Sequence, residues 1–494
     1  MRRTGAFTTG VIIAALLALS GCARAPLGTV PMAERDAIEA SLMRDIRTLA
    51  SDEFGGRRPG TLGEELTLAF ITKELQVAGF SSGTNDPGSE WRAPVPLVGT
   101  QPATSTIALK IGRREVTLDA AGAAAFTSRR RSLVEGAEIS FVGDLSDSVS
   151  DEAIGGKVVI MLGEPGVSPE RRRTLFEKNP AAIITVVANE DAIASTLSAF
   201  GNERFLLASE ETSNLSGFAT RAEMAKALGE ERWEQLLAAA EEDGFEPVNV
   251  KGQATIEATS VRREFTSSNV IGVLPGAVPG SGAVLLLAHW DHLGECGDAE
   301  SDDLICNGAV DNASGIAVIL ELARRLAATG PHDRDIYVLA TSAEESGLLG
   351  TKAFIDAPPM PLDTIVAAFN FDTVALAPAG SPVGFIGEGR TPLDDLIRQA
   401  LIEGDRQLGN KELAERFVQR QDGWALLEQG VPAVMLTTAF GSEIVLGPYL
   451  SNDYHRASDE VDNIELGGAI DDLLLHQELV KRAADTEFYP ATGG

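Results

Sequence analysis

The chain has 494 residues, with 41 Lys+Arg against 72 Asp+Glu and 44% hydrophobic residues, which favours two or three folded units over one. A formal net charge of -31 argues against sequence-independent nucleic-acid binding, which needs a cationic face, and against direct adhesion to anionic lipid headgroups. Fifty Gly beside 5% aromatics fits a turn-rich α/β protein better than a coiled coil, a collagen or a disordered chain.

Arg2 and Arg3 precede a short apolar run, Val11–Leu19, and Leu19-Ser20-Gly21-Cys22 follows at once. Nine apolar residues fall short of the roughly 20 that span a bilayer, so residues 1–21 read as an export signal outside the fold. The Leu-Ser-Gly-Cys sequence resembles a bacterial lipobox, which implies cleavage before Cys22 and a membrane anchor through its lipidated thiol. Ala23 after it resembles lipoproteins sent to the outer membrane, here facing the periplasm. An ordinary secretory signal with an incidental Cys is the alternative. Residues 22–34 form the tether.

From Ala33 to Leu49, apolar Ile38, Leu42, Ile46 and Leu49 share one face and predict a helix. The turn Gly55-Gly56-Arg57-Arg58-Pro59-Gly60 leads to a second helix over Leu62–Ala78, and a shift to Pro, Gly and Ser around residues 88–99 marks a boundary. Residues 35–99 are thus the first part of the main domain, and residues 100–263 are an inserted module rich in strands. Ile107–Ile111 and Ile139–Val142 alternate like strands, whereas 157–162 and 183–187 read as buried ones. Between them Glu170, Arg171, Arg172, Arg173 and Glu177 predict a solvated helix, and Glu230–Asp243 predicts an acidic one. Gly156-Lys157, an apolar run, a small helix and a second apolar strand resemble a protease-associated domain, although Ala181-Ala182 stands where that family has Gly-Ala.

Residues 264–490 alternate apolar runs with helical segments, the pattern of an α/β fold with a mostly parallel mixed sheet covered by helices. Its expected strands are Val284–Ala288, Ile336–Ala340, Ile365–Phe369 and Ala433–Leu436. Polar residues follow these strands at once: His289 and Asp291 after the first, Glu344 and Glu345 after the second, Asp372 after the third. In an open parallel sheet, ligands gather beyond the carboxyl ends of the strands, so these side chains are expected to converge. Massed carboxylates repel and need a cation among them. With Asp311, which opens an expected helix over residues 312–328, and His455 near the C-terminus, the donors suit zinc. The expected sets are His289, Asp311 and Asp372 for one ion and Asp311, Glu345 and His455 for a second, with Asp311 bridging. Cys296 and Cys306 share one loop, where a disulfide is expected after export, with free thiols or a soft-metal pair as alternatives.

Residues 288–294 (Ala-His-Trp-Asp-His-Leu-Gly), 307–315, 344–350, Asn370-Phe371-Asp372, and Tyr454-His455 with Asp459 resemble the ordered motifs of the M28 family of co-catalytic zinc aminopeptidases. Residues 52–61 also resemble that family's N-terminal segment. The resemblance implies a phosphorylase/hydrolase-like zinc exopeptidase fold, two Zn2+ ions, and removal of N-terminal residues from peptides with a free N-terminus; the metal pairings above lean on it too.

Zinc acidifies water and polarises a carbonyl, and Glu344, beside a ligand but not needed as one, is the candidate general base. Asp291 is expected to accept the second N–H of His289 and fix its tautomer. Taken singly, a His after a strand, a Glu-Glu turn or an Asp before a helix is ordinarily structural. His292, His332 and His476 are read that way, while Trp290 and Tyr454 either line the pocket or only pack. A glutaminyl cyclase-like enzyme, a carboxypeptidase or amidohydrolase on the same scaffold, and a non-catalytic peptidase-like binding protein are the rival functions. Oligomeric state is not readable from the chain.

Overall fold

The structure is a computed structural model that describes residues 30–84, 90–146, 148–163, 168–210, 214–297 and 300–490. The export signal and Cys22 lie outside the described residues. The helices Met32–Leu49 and Leu62–Ala78 open the described chain. The first takes up the last three residues of the expected tether and starts directly after Pro31, which fits a helix start because its ring presets φ. Ile38, Leu42, Ile46 and Leu49 are all buried, as their spacing predicts.

The main sheet runs, from one edge, Gly384–Ile386, Ala433–Thr437, Ile365–Asn370, Ala283–His289, Asp335–Thr341 and the far half of Val248–Leu274. The four middle strands are parallel and the outer two antiparallel. Strands buried on both faces need near-continuous apolar runs, and Ala283–His289 is one. Its Val284, Leu286 and Ala288 join the core under the helices Gly315–Thr329 and Gly467–Ala484. Leu285 and Leu287 face the opposite side with Phe354 and Leu426. Each buried Leu or Val contributes roughly 1.5–3 kcal/mol, which makes this strand the rigid centre of the fold.

Two long strands, Arg92–Ile111 and Val248–Leu274, pair antiparallel over almost their whole length and carry the sheet into the inserted module. The expected boundaries therefore fall on a continuous ribbon, where Gly99 pairs with Arg263 and Thr100 with Arg262. Pro94 and Pro96, part of the composition shift that marked the boundary, sit in this ladder; proline lacks an N–H and is tolerated in strands at a sheet border. Beyond the ribbon the module has its own core of Ile107, Phe141, Val158, Ile160, Ile184 and Trp233.

Candidate metal centre

The carboxyl ends of the parallel strands bring the expected donors together. His289 Nε2 lies 3.2 Å from Asp311 Oδ1, 3.6 Å from Asp372 Oδ1 and 4.0 Å from Glu344 Oε2. His455 Nε2 lies 2.9 Å from Glu345 Oε2 and 3.3 Å from Asp311 Oδ2. Asp311 thus turns one oxygen to each imidazole. His289, Asp311 and Asp372 offer donor atoms within 4.8 Å of one another, and so do His292, Asp311 and Glu345.

Asp311 is held by a loop, not by a helix start. The helix begins at Gly315, and residues 309–314 include non-helical φ/ψ at Asp311 and Asn312, whose peptide bond is cis. Asp311 is therefore not the N-cap that its position suggested. The Asp459 carboxylate accepts from Val310 N at 2.9 Å, Asp311 N at 3.1 Å and the Tyr449 hydroxyl at 3.0 Å. Arg57, fully buried, donates to the carbonyls of Leu49, Trp290, Asn307 and Gly308, the last at 3.0 Å. One guanidinium therefore staples the 52–61 segment to the loops of His289 and Asp311. Gly308 has φ +56°, and a Cβ there would stand 2.0 Å from the Asp311 carbonyl oxygen, so only glycine closes this loop.

The turn bearing Glu344 and Glu345 is braced at both ends. The Asn269 side chain accepts from Ser342 N at 2.9 Å and donates to Gly350 O at 2.8 Å. Buried Asp422 accepts from Thr341 Oγ1 at 2.5 Å and Thr351 Oγ1 at 2.6 Å. A Cβ on Gly350 would meet Ser342 O at 2.4 Å and Asn269 Oδ1 at 2.6 Å, so the two arms of the turn approach only through glycine. Ala343, Leu348, Thr373 and His455 all have positive φ, conformations costing of order 1–3 kcal/mol each, concentrated around the donors.

Electrostatics match a cation site. Burial acts to lower the His289 imidazole, but Glu344, Asp311 and Asp372 override it and hold it well above its usual value. His455, opposed by burial but bonded to Asp311 and Glu345, is raised to about 10. Burial and Asp311 push Glu345 up, yet His292 and His455 bring it down to about 2. Glu344 differs: burial, with Asp422, Asp372 and Glu345 around it, raises it well above an ordinary carboxylate despite His289.

Two expectations change. The nearer acceptor for His289 Nδ1 is the Asp291 carbonyl at 3.1 Å, with the carboxylate at 3.9 Å. The Asp291 carboxylate instead accepts from Glu344 N at 3.0 Å. His292, read as structural, puts Nδ1 2.7 Å from Glu345 Oε1, inside the donor cluster. Its place three residues after His289 was the signal available. Trp290 is buried and donates to Ser268 O at 3.0 Å, whereas Tyr454 stacks on His455 with ring centres 3.8 Å apart. Tyr454 also lines a pocket of about 240 Å³ over Glu344, with Phe417, Phe440, Tyr449 and Leu450. Cys296 and Cys306 are disulfide-bonded, their Cα atoms 5.7 Å apart. His332 and His476 lie away from the cluster, bonded to the carbonyls of Leu326 and Asp472.

Residues 269–473 match the model of peptidase family M28. The chain is similar to Aminopeptidase YwaD of Bacillus subtilis, 34% identical over 116 residues, 23% of this chain and 23% of that protein. "Probable lipoprotein aminopeptidase LpqL" of Mycobacterium tuberculosis is 26% identical over 248 residues, 45% of this chain and 46% of that protein. The chain thus spans less than half the length of these curated relatives. Among solved structures, an aminopeptidase from Aneurinibacillus sp. strain AM-1 shares the fold, with TM-score 0.57 and 19% identity over 90% of this chain and 94% of that one.

Proposed function

We propose that the protein is a zinc-dependent aminopeptidase that removes N-terminal residues from peptides at a two-zinc centre. The observation that carries this reading is Asp311 set between two donor groups, His289 with Asp372 on one side and His455 with Glu345 on the other. Two imidazoles and three carboxylates, mostly buried and with each carboxylate within 3.6 Å of an imidazole nitrogen, fit borderline divalent cations, and Asp311 would serve both. Zinc bound there would supply a Lewis acid for the scissile carbonyl and make water acidic near neutral pH.

The chain's own residues do the rest. Glu344, raised well above an ordinary carboxylate by burial, takes the proton of the attacking water and returns it to the leaving amine. The Asp291 carboxylate holds the Glu344 main chain, and its carbonyl orients His289. The aromatic pocket beside Glu344 receives the N-terminal side chain. Aminopeptidase polarity is taken from the names of the relatives. Residues 100–263 we read as a protease-associated-like module, and Cys22 as a lipid anchor to the outer membrane, in line with the relative named a lipoprotein. No helix among the described residues is long and apolar enough to cross a membrane.

Metal analysis with a screen of aminoacyl chromogenic substrates and N-blocked controls tests the reading. Two zinc ions per chain, loss of activity on chelation and recovery with zinc are expected. Glu344→Gln keeps its metal while kcat falls at least about 100-fold. Activity that survives exhaustive chelation, or equal turnover of N-blocked substrates, overturns it. Fatty-acid labelling that is unchanged in Cys22→Ala would remove the anchor.

A further inference from the structure

Each oxygen of the Glu345 carboxylate faces a different imidazole. Oε2 lies 2.9 Å from His455 Nε2, and Oε1 lies 2.7 Å from His292 Nδ1. The two rings are not equivalent. His455 Nε2 also reaches Asp311 Oδ2 at 3.3 Å and so stands where two carboxylates converge, whereas His292 Nδ1 is in ion-pair range of Glu345 alone among the described residues.

His292 is fixed from several sides. Its side chain is fully buried, and its ring meets that of His455 edge to face with centres 5.9 Å apart. A Cβ on Gly308 would come within 2.6 Å of His292 Cδ2, so the ring lies against the loop that carries Asp311. His292 Nε2 is buried with no partner among the described residues. An N–H left there without an acceptor costs more than a bare ring nitrogen, so the proton belongs on Nδ1, and Nδ1–H donates to Glu345 Oε1. That hydrogen bond stops the carboxylate from turning and leaves Oε2 as the oxygen presented beside His455 and Asp311.

We infer that His292 is a positioning residue for the second ion: it holds Glu345 by Oε1 so that Oε2 is offered to the cation, and it thereby sets the affinity of that position and not of the one formed by His289 and Asp372. The inference rests on the two-zinc reading and deepens it. A donor that orients a metal-binding carboxylate is worth about 10–100-fold in metal affinity.

The test titrates chelator-stripped protein with zinc against a chromophoric competitor, which resolves the two ions of one chain. His292→Leu keeps an apolar filler without the donor. His292→Asn places an amide nitrogen at the same remove from Cα as Nδ1. The Leu variant is expected to bind the second ion about 10–100-fold more weakly with the first unchanged, and the Asn variant to recover most of the loss. Activity of the Leu variant should be low at limiting zinc and return with excess zinc, which damage to the fold would not allow. Tight binding of both ions by the Leu variant overturns the inference, as does equal weakening of both ions or an Asn variant no better than Leu. Failure of the unaltered protein to bind a second ion overturns the two-zinc reading beneath it.

Discussion

Residues 100–263 and residues 264–490 bury different kinds of polar group. Between residues 100 and 263, the buried polar side chains among the described residues are all hydroxyls: Thr100, Thr127, Ser140, Thr185, Ser216, Thr220 and Ser260. Between residues 264 and 490 the buried set includes His289, Asp291, Asp311, Asp372, Asp422, Asp459 and His476. Burying a charge costs several kcal/mol unless partners compensate it, so the second region carries a burden the first avoids. The first region is built for packing, whereas the second accepts the unfavourable burial of carboxylates and imidazoles drawn together around Asp311. The braces found around Asp311 and Glu344 are the partners that make this burial tolerable.

The contrast can be broken most forcefully at Asp311. Asp311→Asn should empty both metal positions and lower kcat/KM at least about 1,000-fold, because several kcal/mol of charge stabilisation go with the ions. Metal analysis and activity on the same sample check this, and a variant retaining full metal would contradict the bridge. Next comes Asp422→Ala, which strips the acceptor from Thr341 and Thr351. A loss of ~2–4 kcal/mol in urea unfolding is expected, with a fall in kcat as the Glu344 turn loosens.

A smaller effect concerns His476, buried against Phe371 with its Nδ1–H on the Asp472 carbonyl at 2.7 Å. Burial lowers it from 6.5 to about 4. Between those values the unfolded chain binds a proton that the folded one refuses. Stability from neutral His476 is therefore present at pH 7 and is lost as pH falls through 6.5 to about 4, by up to about 3 kcal/mol. Urea unfolding of the unaltered protein and His476→Phe at pH 7 and pH ~4.5 should show the gap closing or reversing at the lower pH; a gap independent of pH would refute it. The smallest effect belongs to the module. Thr185 Oγ1 is buried with no partner among the described residues, so Thr185→Val should be neutral or stabilising by up to ~1 kcal/mol in the same assay. A clear loss there would erase the distinction between the two regions.

Much of the donor set was legible because parallel strands end in a shared crevice, so His289, Asp311, Glu345, Asp372 and His455 could be collected from the ends of apolar runs and the loops beside them. Helices with clean periodicity, such as Leu62–Ala78, were legible for the same local reason. What escaped depended on contacts distant in sequence. Nothing near Arg57 reveals that it reaches carbonyls some 250 positions away. Asn269 and Asp422 look like ordinary polar residues until the strand and turn they brace come together. His292 reads as structural because a second His three residues after the first is, by local pattern alone, no more than a hint. The Pro-rich segment before residue 100 resembled a boundary because local composition cannot show the 27-residue partner strand paired against it.

The amino-acid sequence by itself determined which segments form helices and buried strands and which acidic and imidazole groups follow them, since side-chain periodicity and chain direction are local properties. Only the tertiary structure decided the rest: that Asp311 faces two histidines, and that the Glu344 turn is clamped from both ends. These are relations between groups far apart along the chain, and such groups acquire a distance, a dielectric surrounding and a shared charge balance only when folding brings them together.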